Sequence, residues 1–256
     1  MLLTVDVGNT HIRLGVFPAD GGPLTRTWSM RTSPAVTSDE LALTIRGLLG
    51  ECAHQLSGIS AMSVVPSVTG ELRRMASTYW PGMPSVVVAP GVKTGVPLLV
   101  DSPREVGSDR VVNALAAHSL FEGPVVVVDV DTATTVDAVS ARGELLGGAI
   151  APGIDISVDA LAEQAAALRK IEVVRPRTAL GKNTVAALQA GIVIGFAGQI
   201  DALVDRLRAD VPELGDASVV LTGLRADVVA DESRTVTDVE PDLALEGLRL
   251  VFERNC

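Results

Sequence analysis

Two acidic residues in this chain each close an apolar run and open a turn: Asp6 in LLTVDVGNTHIRLGV and Asp129 in VVVVDVDTATTVDAV. After Asp6 the turn offers the backbone amides of Gly8 to His11 and the polar side chains of Asn9 and Thr10, all suited to phosphate oxygens, and Gly8 permits close approach. A carboxylate does not bind phosphate directly, so Asp6 reads as a holder of Mg²⁺ or its waters beside a polyphosphate. The same residues also suit a plain hairpin turn. At the position of Gly8 the second turn carries a further carboxylate, Asp131.

EVGSDRVVNALAAH, from Glu105 to His118, is a third candidate, in which a glycine turn runs into helical periodicity at Val111, Val112, Leu115 and Ala116. Asp109 and Arg110 then fall in the first helical turn, at the positive end of its dipole. There Asp109 suits the acceptance of a proton from a hydroxyl nucleophile, and Arg110 a two-point grip on an anionic or polar substrate. Helix capping plus a surface pair fits them equally. Gly181-Lys182 in LGKNTVAALQAGIVIGFAG invites comparison with a Walker loop, but the earlier glycine that loop requires is Pro176 here. His11, His54 and His118 lack metal spacing, and Cys52 and Cys256 read as reduced and incidental.

The two acidic runs are copies of one unit. Asp6 falls on Asp129, Gly8 on Asp131 and Thr10 on Ala133, an offset of 123 residues in a chain of 256. Each copy reads as strand, tight turn and second strand. After the first comes a helix in which Thr37 and Glu40 have capping-box spacing and Leu41, Ile45, Leu48 and Leu49 form the apolar face. Strands are expected near Ile59 to Val65 and Ser85 to Ala89, with a helix from Ser67 to Trp80 between them. A long ordered loop over a site follows from Pro90 to Arg104. The second half places strands at Val125 to Val130, Thr134 to Ser140, Leu145 to Ile150 and Ser218 to Leu221. Its helices start near Ile154, run from Asn183 to Ala209, and end the chain. Such alternation gives a layered α/β fold of two related lobes. The helix after Asn183 is apolar around much of its circumference and carries Gly191, Gly195 and Gly198, so it is expected to pack closely against another helix; a core position and a subunit interface both fit.

With 47% hydrophobic and 20% charged residues the chain can bury a substantial core, as one large domain or two modest ones. Its net charge of -10 argues against nonspecific binding of nucleic acid or of an anionic membrane. Met1 to Asp6 has no basic leader region, and no stretch comes near the roughly 18 uncharged apolar residues of a membrane span. A cytoplasmic protein acting on small molecules is the expectation.

Taken in order, DVGNTHI, GSDR, DVDTATT, LLGGAIAPG, GKNT and LTG resemble the type III pantothenate kinases of the actin-like phosphotransferase superfamily, over essentially the whole chain. The resemblance implies two duplicated ribonuclease H-like lobes, residues 1–118 and 119–256, with dimerisation helices in the second. It implies ATP in the cleft and transfer of its γ-phosphoryl to pantothenate, giving 4′-phosphopantothenate in the first step of coenzyme A biosynthesis. It further implies a homodimer with the acceptor pocket at its interface, and Mg²⁺ plus a monovalent cation, K⁺ or NH₄⁺, as cofactors. By the same resemblance Asp6, Val7, Gly8, Asn9, Thr10, His11, Ile12 and Arg13 bind ATP, with Thr132 as a further contact. Val100, Gly107, Ser108, Asp109, Arg110 and Thr184 bind pantothenate, Asp109 serves as general base, and Asp129 is the monovalent metal ligand.

Three positions depart from the family pattern. Asp131 replaces the glycine of Asp-x-Gly-Thr, Leu224 replaces the second glycine of Thr-Gly-Gly, and Val100 stands where many members have tyrosine. A glycine at 131 would let amides approach the phosphates and could occupy a backbone region costly to other residues. The acceptor motifs are intact and the nucleotide motifs are altered. Three readings stay open: an ATP-dependent pantothenate kinase, a kinase acting on another hydroxy acid, and a homologue that binds ATP poorly and has a regulatory or structural role.

Overall fold

The computed structural model describes residues 1–165 and 168–256. They form two compact units, the first made of Met1–Val96, Asp101–Ala116 and Asp242–Cys256, the second of Pro97–Val100 and Ala117–Pro241. In chain order the strands are β1 (Leu2–Val7), β2 (His11–Phe17), β3 (Arg26–Arg31), β4 (Gly58–Ser63), β5 (Ser85–Val87), β6 (Val125–Val130), β7 (Ala133–Val139), β8 (Leu145–Pro152), β9 (Ser218–Thr222) and β10 (Asp238–Val239). The helices are α1 (Ser38–Leu49), α2 (Pro66–Tyr79), α3 (Ser108–Leu120), α4 (Ile154–Gln164), α5 (Thr184–Asp210), α6 (Ala226–Val229) and α7 (Leu243–Asn255).

The first sheet runs β3-β2-β1-β4-β5, with β1 antiparallel to β2 and parallel to β4. Side chains alternate along β1, so Leu3, Val5 and Val7 enter a core shared with Leu41, Ile45 and Leu49 of α1 and Val68, Leu72 and Met75 of α2. α1 starts as expected: Thr37 Oγ1 accepts from the Glu40 amide, and the Thr37 amide donates to Glu40 Oε2 at 2.9 Å. α2 starts one residue earlier than expected because Pro66, which lacks an amide hydrogen, suits its first position.

The second sheet runs β10-β9-β6-β7-β8 and repeats the first strand for strand: a central strand that begins an antiparallel three-stranded meander on one side and has two parallel strands on the other. One turn differs. Residues 8–10 join β1 to β2, where Val7 pairs with Ile12, whereas only residues 131–132 join β6 to β7, where Val130 pairs with Thr134. The second loop is one residue shorter, so the constant offset fails after the turn and Thr10 corresponds to Thr132 rather than to Ala133.

Several expectations are corrected. A division at residue 118 misplaces α7, whose Leu245 and Phe252 pack with Leu2 and Phe17 of the first unit, while the Leu248 carbonyl accepts from Ser60 Oγ at 2.7 Å. Pro97–Val100 joins the second unit, because the Leu99 amide donates to Leu145 O and the Leu145 amide to Pro97 O, both at 2.9 Å. β3 and β10 were not foreseen. α5 is also long and apolar enough to cross a membrane, contrary to expectation. One of its faces, with Ala190, Val193, Ala197, Ile200 and Val204, is buried in the second unit. Of the two positions expected for its glycines, the core one does not hold: among the described residues of the chain a methyl group built on Gly191, Gly195 or Gly198 finds nothing within 4 Å, and all three are exposed.

α5 also carries a buried carboxylate. Asp201 accepts from the hydroxyls of Ser233 and Thr235, each at 2.7 Å, and from the amides of Arg234 and Thr235. Burial raises its pKa, but these donors outweigh burial and the net shift is downward. A lowered folded pKa means that the stabilisation is present above the unfolded value of about 3.9 and is lost as pH falls through the folded one. Asp201→Ala should therefore cost about 2–3 kcal/mol in urea unfolding at pH 7, with the deficit shrinking below about pH 4. A loss within the roughly 0.5 kcal/mol of an ordinary surface change would remove this role from Asp201.

Candidate functional site

The first loop, Gly8–Thr10, joins β1 to β2 at the end of the first sheet. Val7 and Ile12 are wholly buried core residues, so of the expected phosphate-binding set these two can offer only backbone groups. Asp6 lies on the other face of β1, directly across from Arg13, whose guanidinium pairs with Asp242. The loop is closed by Gly8 N–H donating to the His11 carbonyl at 2.9 Å. From outside, Thr32 Oγ1 donates to the Gly8 carbonyl at 2.8 Å and the Thr32 amide to the Thr10 carbonyl at 3.0 Å. Asn9 and Thr10 are exposed, and His11 Nδ1 lies 3.1 Å from Thr10 Oγ1.

Gly107–Arg110 comes to the same end of that sheet. Ser108 Oγ reaches the carbonyl of Ser63, which is paired with Val7. α3 starts here, and the Asp109 carboxyl folds back over the turn, leaving only 2.2 Å between its Oδ1 and a methyl group built on Gly107. A side chain at 107 would require that carboxyl to turn aside. Asp109 is half-buried, and its pKa is raised. Burial is the largest cause, offset in part by the amides of Arg110 and Asp109 and by the Arg110 guanidinium.

In the second unit Asp129 is the penultimate residue of β6, flanked in register by Thr135 and Thr222. Gly223 follows Thr222 at φ +100°, and a methyl group there would lie 2.5 Å from Asp129 Oδ1, so the turn excludes any side chain on two counts. Arg225 N–H donates to the Val130 carbonyl at 3.1 Å, while the Arg225 side chain grips Asp155 of α4 through two bonds of 2.9 and 2.7 Å. Gly153, at the start of α4, donates to the Thr132 carbonyl at 3.0 Å, and a methyl group on it would lie 2.0 Å from the carbonyl oxygen of Asp131. Thr132 Oγ1 is buried and has no hydrogen-bond partner among the described residues.

Asp131 and Leu224 depart from expectation in one respect. No described non-glycine residue has a positive φ, so neither is forced into a backbone region that glycine alone accepts. Asp131 differs from glycine here in charge and bulk. Leu224 is 37% exposed, with its side chain partly in solvent. Val100 is half-buried, its Cγ1 4.0 Å from a methyl group built on Gly147 of β8. Thr184 is exposed in the first turn of α5, next to Asn183, whose Oδ1 accepts from the Ala186 amide at 2.9 Å. Gly181 belongs to this helix start: a methyl group on it would lie 2.2 Å from the Ala187 nitrogen, a packing role rather than a phosphate one.

The expected set thus divides between the units. Asp6 to Arg13 and Gly107 to Arg110 share the first; Val100, Asp129, Thr132 and Thr184 belong to the second. Thr32, Gly153, Asp155, Arg225 and Asp242 support these residues and were missed. Comparison of β8 with the chain before Ser38 would have uncovered β3, and with it Thr32.

Comparison by sequence gives one family. Residues 2–206 match the family described as type III pantothenate kinase. A Rhodococcus erythropolis protein of that name is 59% identical over 259 residues, spanning 100% of this chain and 96% of its own length. Among solved structures, component A of (R)-2-hydroxyglutaryl-CoA dehydratase from Acidaminococcus fermentans superposes with a TM-score of 0.59 at 15% identity, over 99% of this chain and 98% of that one. The activator of 2-hydroxyisocaproyl-CoA dehydratase from Clostridium difficile, solved with ADPNP bound, gives 0.58 at 12% identity, over 99% and 95%. These neighbours share the fold of this chain.

Proposed function

The chain belongs to the type III pantothenate kinases, and from that membership we propose how its residues divide the reaction. The protein phosphorylates pantothenate with ATP in coenzyme A biosynthesis. The observation that carries the assignment of roles is the Asp109 carboxyl, its pKa raised by burial, at the end of the sheet that also bears the Gly8–Thr10 loop.

Asp109 accepts the proton of the pantothenate hydroxyl as that oxygen attacks the γ-phosphorus of ATP. The new O–P bond forms as the bond from the γ-phosphorus to the β,γ-bridging oxygen breaks, and ADP leaves. The raised pKa makes Asp109 a stronger base than an ordinary aspartate. Arg110 and Thr184 orient pantothenate, the Arg110 guanidinium by pairing with the carboxylate of pantothenate. The amides of Gly8 to His11 and the hydroxyl of Thr132 orient the phosphates.

Two cation positions fit the oxygen donors present. Asp6 would hold Mg²⁺, and Asp129, whose Oδ1 and the Val130 carbonyl oxygen both approach Gly223, would hold the monovalent cation. Among the described residues no group of three or more His, Cys, Asp or Glu could hold a metal alone, so Mg²⁺ here would share water and phosphate oxygens, as it commonly does. When bound, such cations neutralise charge on the phosphates.

A homodimer accounts for the exposed face of α5. Gly191, Ile194, Gly195 and Gly198 lie three and four residues apart, on one side of the helix, and all are exposed, as is Leu180 just before it. Small residues along such a stripe let a second copy approach closely. Gly195→Phe should weaken this dimer by overpacking, by about 1–3 kcal/mol. Sedimentation of the unaltered protein as a monomer at micromolar concentration would rule the interface out.

Asp109→Asn should lower kcat by about 10²- to 10⁴-fold. It should leave the melting temperature unchanged or higher, since a carboxyl whose folded pKa is raised is disfavoured in its charged form by folding. The acid limb of the unaltered enzyme's kcat/KM profile should lie above the ordinary aspartate value of about 3.9, activity falling as pH drops through it. An asparagine variant with near-normal kcat would reduce Asp109 to a helix cap.

Asp131 tests the nucleotide side. A carboxylate at ~5 Å from a bound phosphate, with an effective dielectric of about 20, costs roughly 3 kcal/mol. Asp131→Gly should therefore raise kcat/KM for ATP at least about tenfold at saturating Mg²⁺ and K⁺. Unchanged or poorer use of ATP would show that this carboxylate assists binding.

A further inference from the structure

Thr32 is the first residue after β3, and it reaches two carbonyls of the first loop, Gly8 through its hydroxyl at 2.8 Å and Thr10 through its amide at 3.0 Å. In a planar trans peptide the carbonyl of one residue and the N–H of the next point in opposite directions. Holding the Gly8 carbonyl toward Thr32 therefore turns the Asn9 N–H away from it, and holding the Thr10 carbonyl turns away the His11 N–H. Both amides are thereby turned to the side of the loop opposite Thr32, where two N–H donors can meet an anion.

The second unit reproduces this contact. Gly153 is the first residue after β8, the counterpart of β3, and its amide donates at 3.0 Å to the carbonyl of Thr132, the counterpart of Thr10. Its α-carbon also sits against the carbonyl oxygen of Asp131, the counterpart of Gly8, so closely that a methyl group would lie 2.0 Å from it. The same two carbonyls are thus met by the same structural position in each copy. In the second copy glycine backbone fills the space against the carbonyl; in the first a threonine hydroxyl bridges it.

We propose that Thr32 is a positioning residue for the nucleotide, aiming the amides of Asn9 and His11 at the phosphates of ATP. This rests on reading Gly8 to His11 as a phosphate loop. Valine nearly matches threonine in shape and keeps the backbone amide, so Thr32→Val removes only the bond to Gly8; Thr32→Ser retains it.

The test is calorimetric titration of the full-length protein with the Mg²⁺ complex of a non-hydrolysable ATP analogue, together with steady-state kinetics. Thr32→Val should weaken analogue binding about threefold to tenfold and raise KM for ATP in the same proportion, as loss of one hydrogen bond implies. KM for pantothenate should not change, and Thr32→Ser should restore binding. Equal analogue affinity in Thr32→Val and the unaltered protein would overturn the role of Thr32 while leaving the phosphate loop in place. Loss that serine fails to restore, or an equal rise in KM for pantothenate, would assign Thr32 to general folding and overturn the proposal. An unaltered protein that binds no analogue would overturn the phosphate-loop reading and this inference with it.

Discussion

Hairpin register is the constraint on which the site depends. In β1 and β6 alternate side chains enter the core, with Val7 and Val130 wholly buried, so the acids beside them, Asp6 and Asp129, fall on the other face. A slip of one residue would exchange the faces and bury a carboxylate among valines, which is far costlier than any local gain. Pairing of Val7 with Ile12, and of Val130 with Thr134, therefore fixes both where the acids stand and how long each turn can be.

Given that register, the turns are shaped from outside. Each has short-range bonds of its own, Gly8 to His11 in one and Asp131 to Ala133 in the other, but the carbonyls of Gly8, Thr10 and Thr132 are held by segments distant in sequence. The second turn is also bounded by Gly223, which admits no side chain, and by the Arg225–Asp155 pair that links the β9 turn to α4. Arg13 has a comparable place in the first unit, standing across the ladder from Asp6 and pairing with Asp242 at the start of α7. Backbone groups held on several sides need little reorganisation when an anion arrives, which is the condition for electrostatic catalysis in phosphoryl transfer.

Duplication explains what reading the chain recovered and what it lost. The strongest strands, β1 and β6, are runs of Leu and Val that reveal themselves by composition. β3 reads Arg-Thr-Trp-Ser-Met-Arg and is an exposed edge strand, so it lacks the apolar alternation by which a half-buried strand is recognised. β10 is two residues long. The single-residue difference in turn length is invisible when the copies are laid side by side, because Thr132 and Thr134 both offer plausible matches; only the ladder distinguishes them. α5 illustrates the converse: its glycines were legible, but which of its faces met the core was not.

By itself the sequence determined the two-lobed α/β class, the acids at the strand ends, Asp109 at a helix start, and the family, because these follow from local periodicity and from short ordered motifs. Tertiary structure decided the rest: that α7 returns to the first sheet, that Pro97–Val100 pairs beside β8, that Thr32 and Gly153 hold the turns, and that Asp131 stands in ordinary backbone. Each of these depends on contacts between residues far apart in the chain, or on the backbone angles such contacts impose. Such contacts are selected by the burial of whole faces against one another, and no short window of residues encodes that sum.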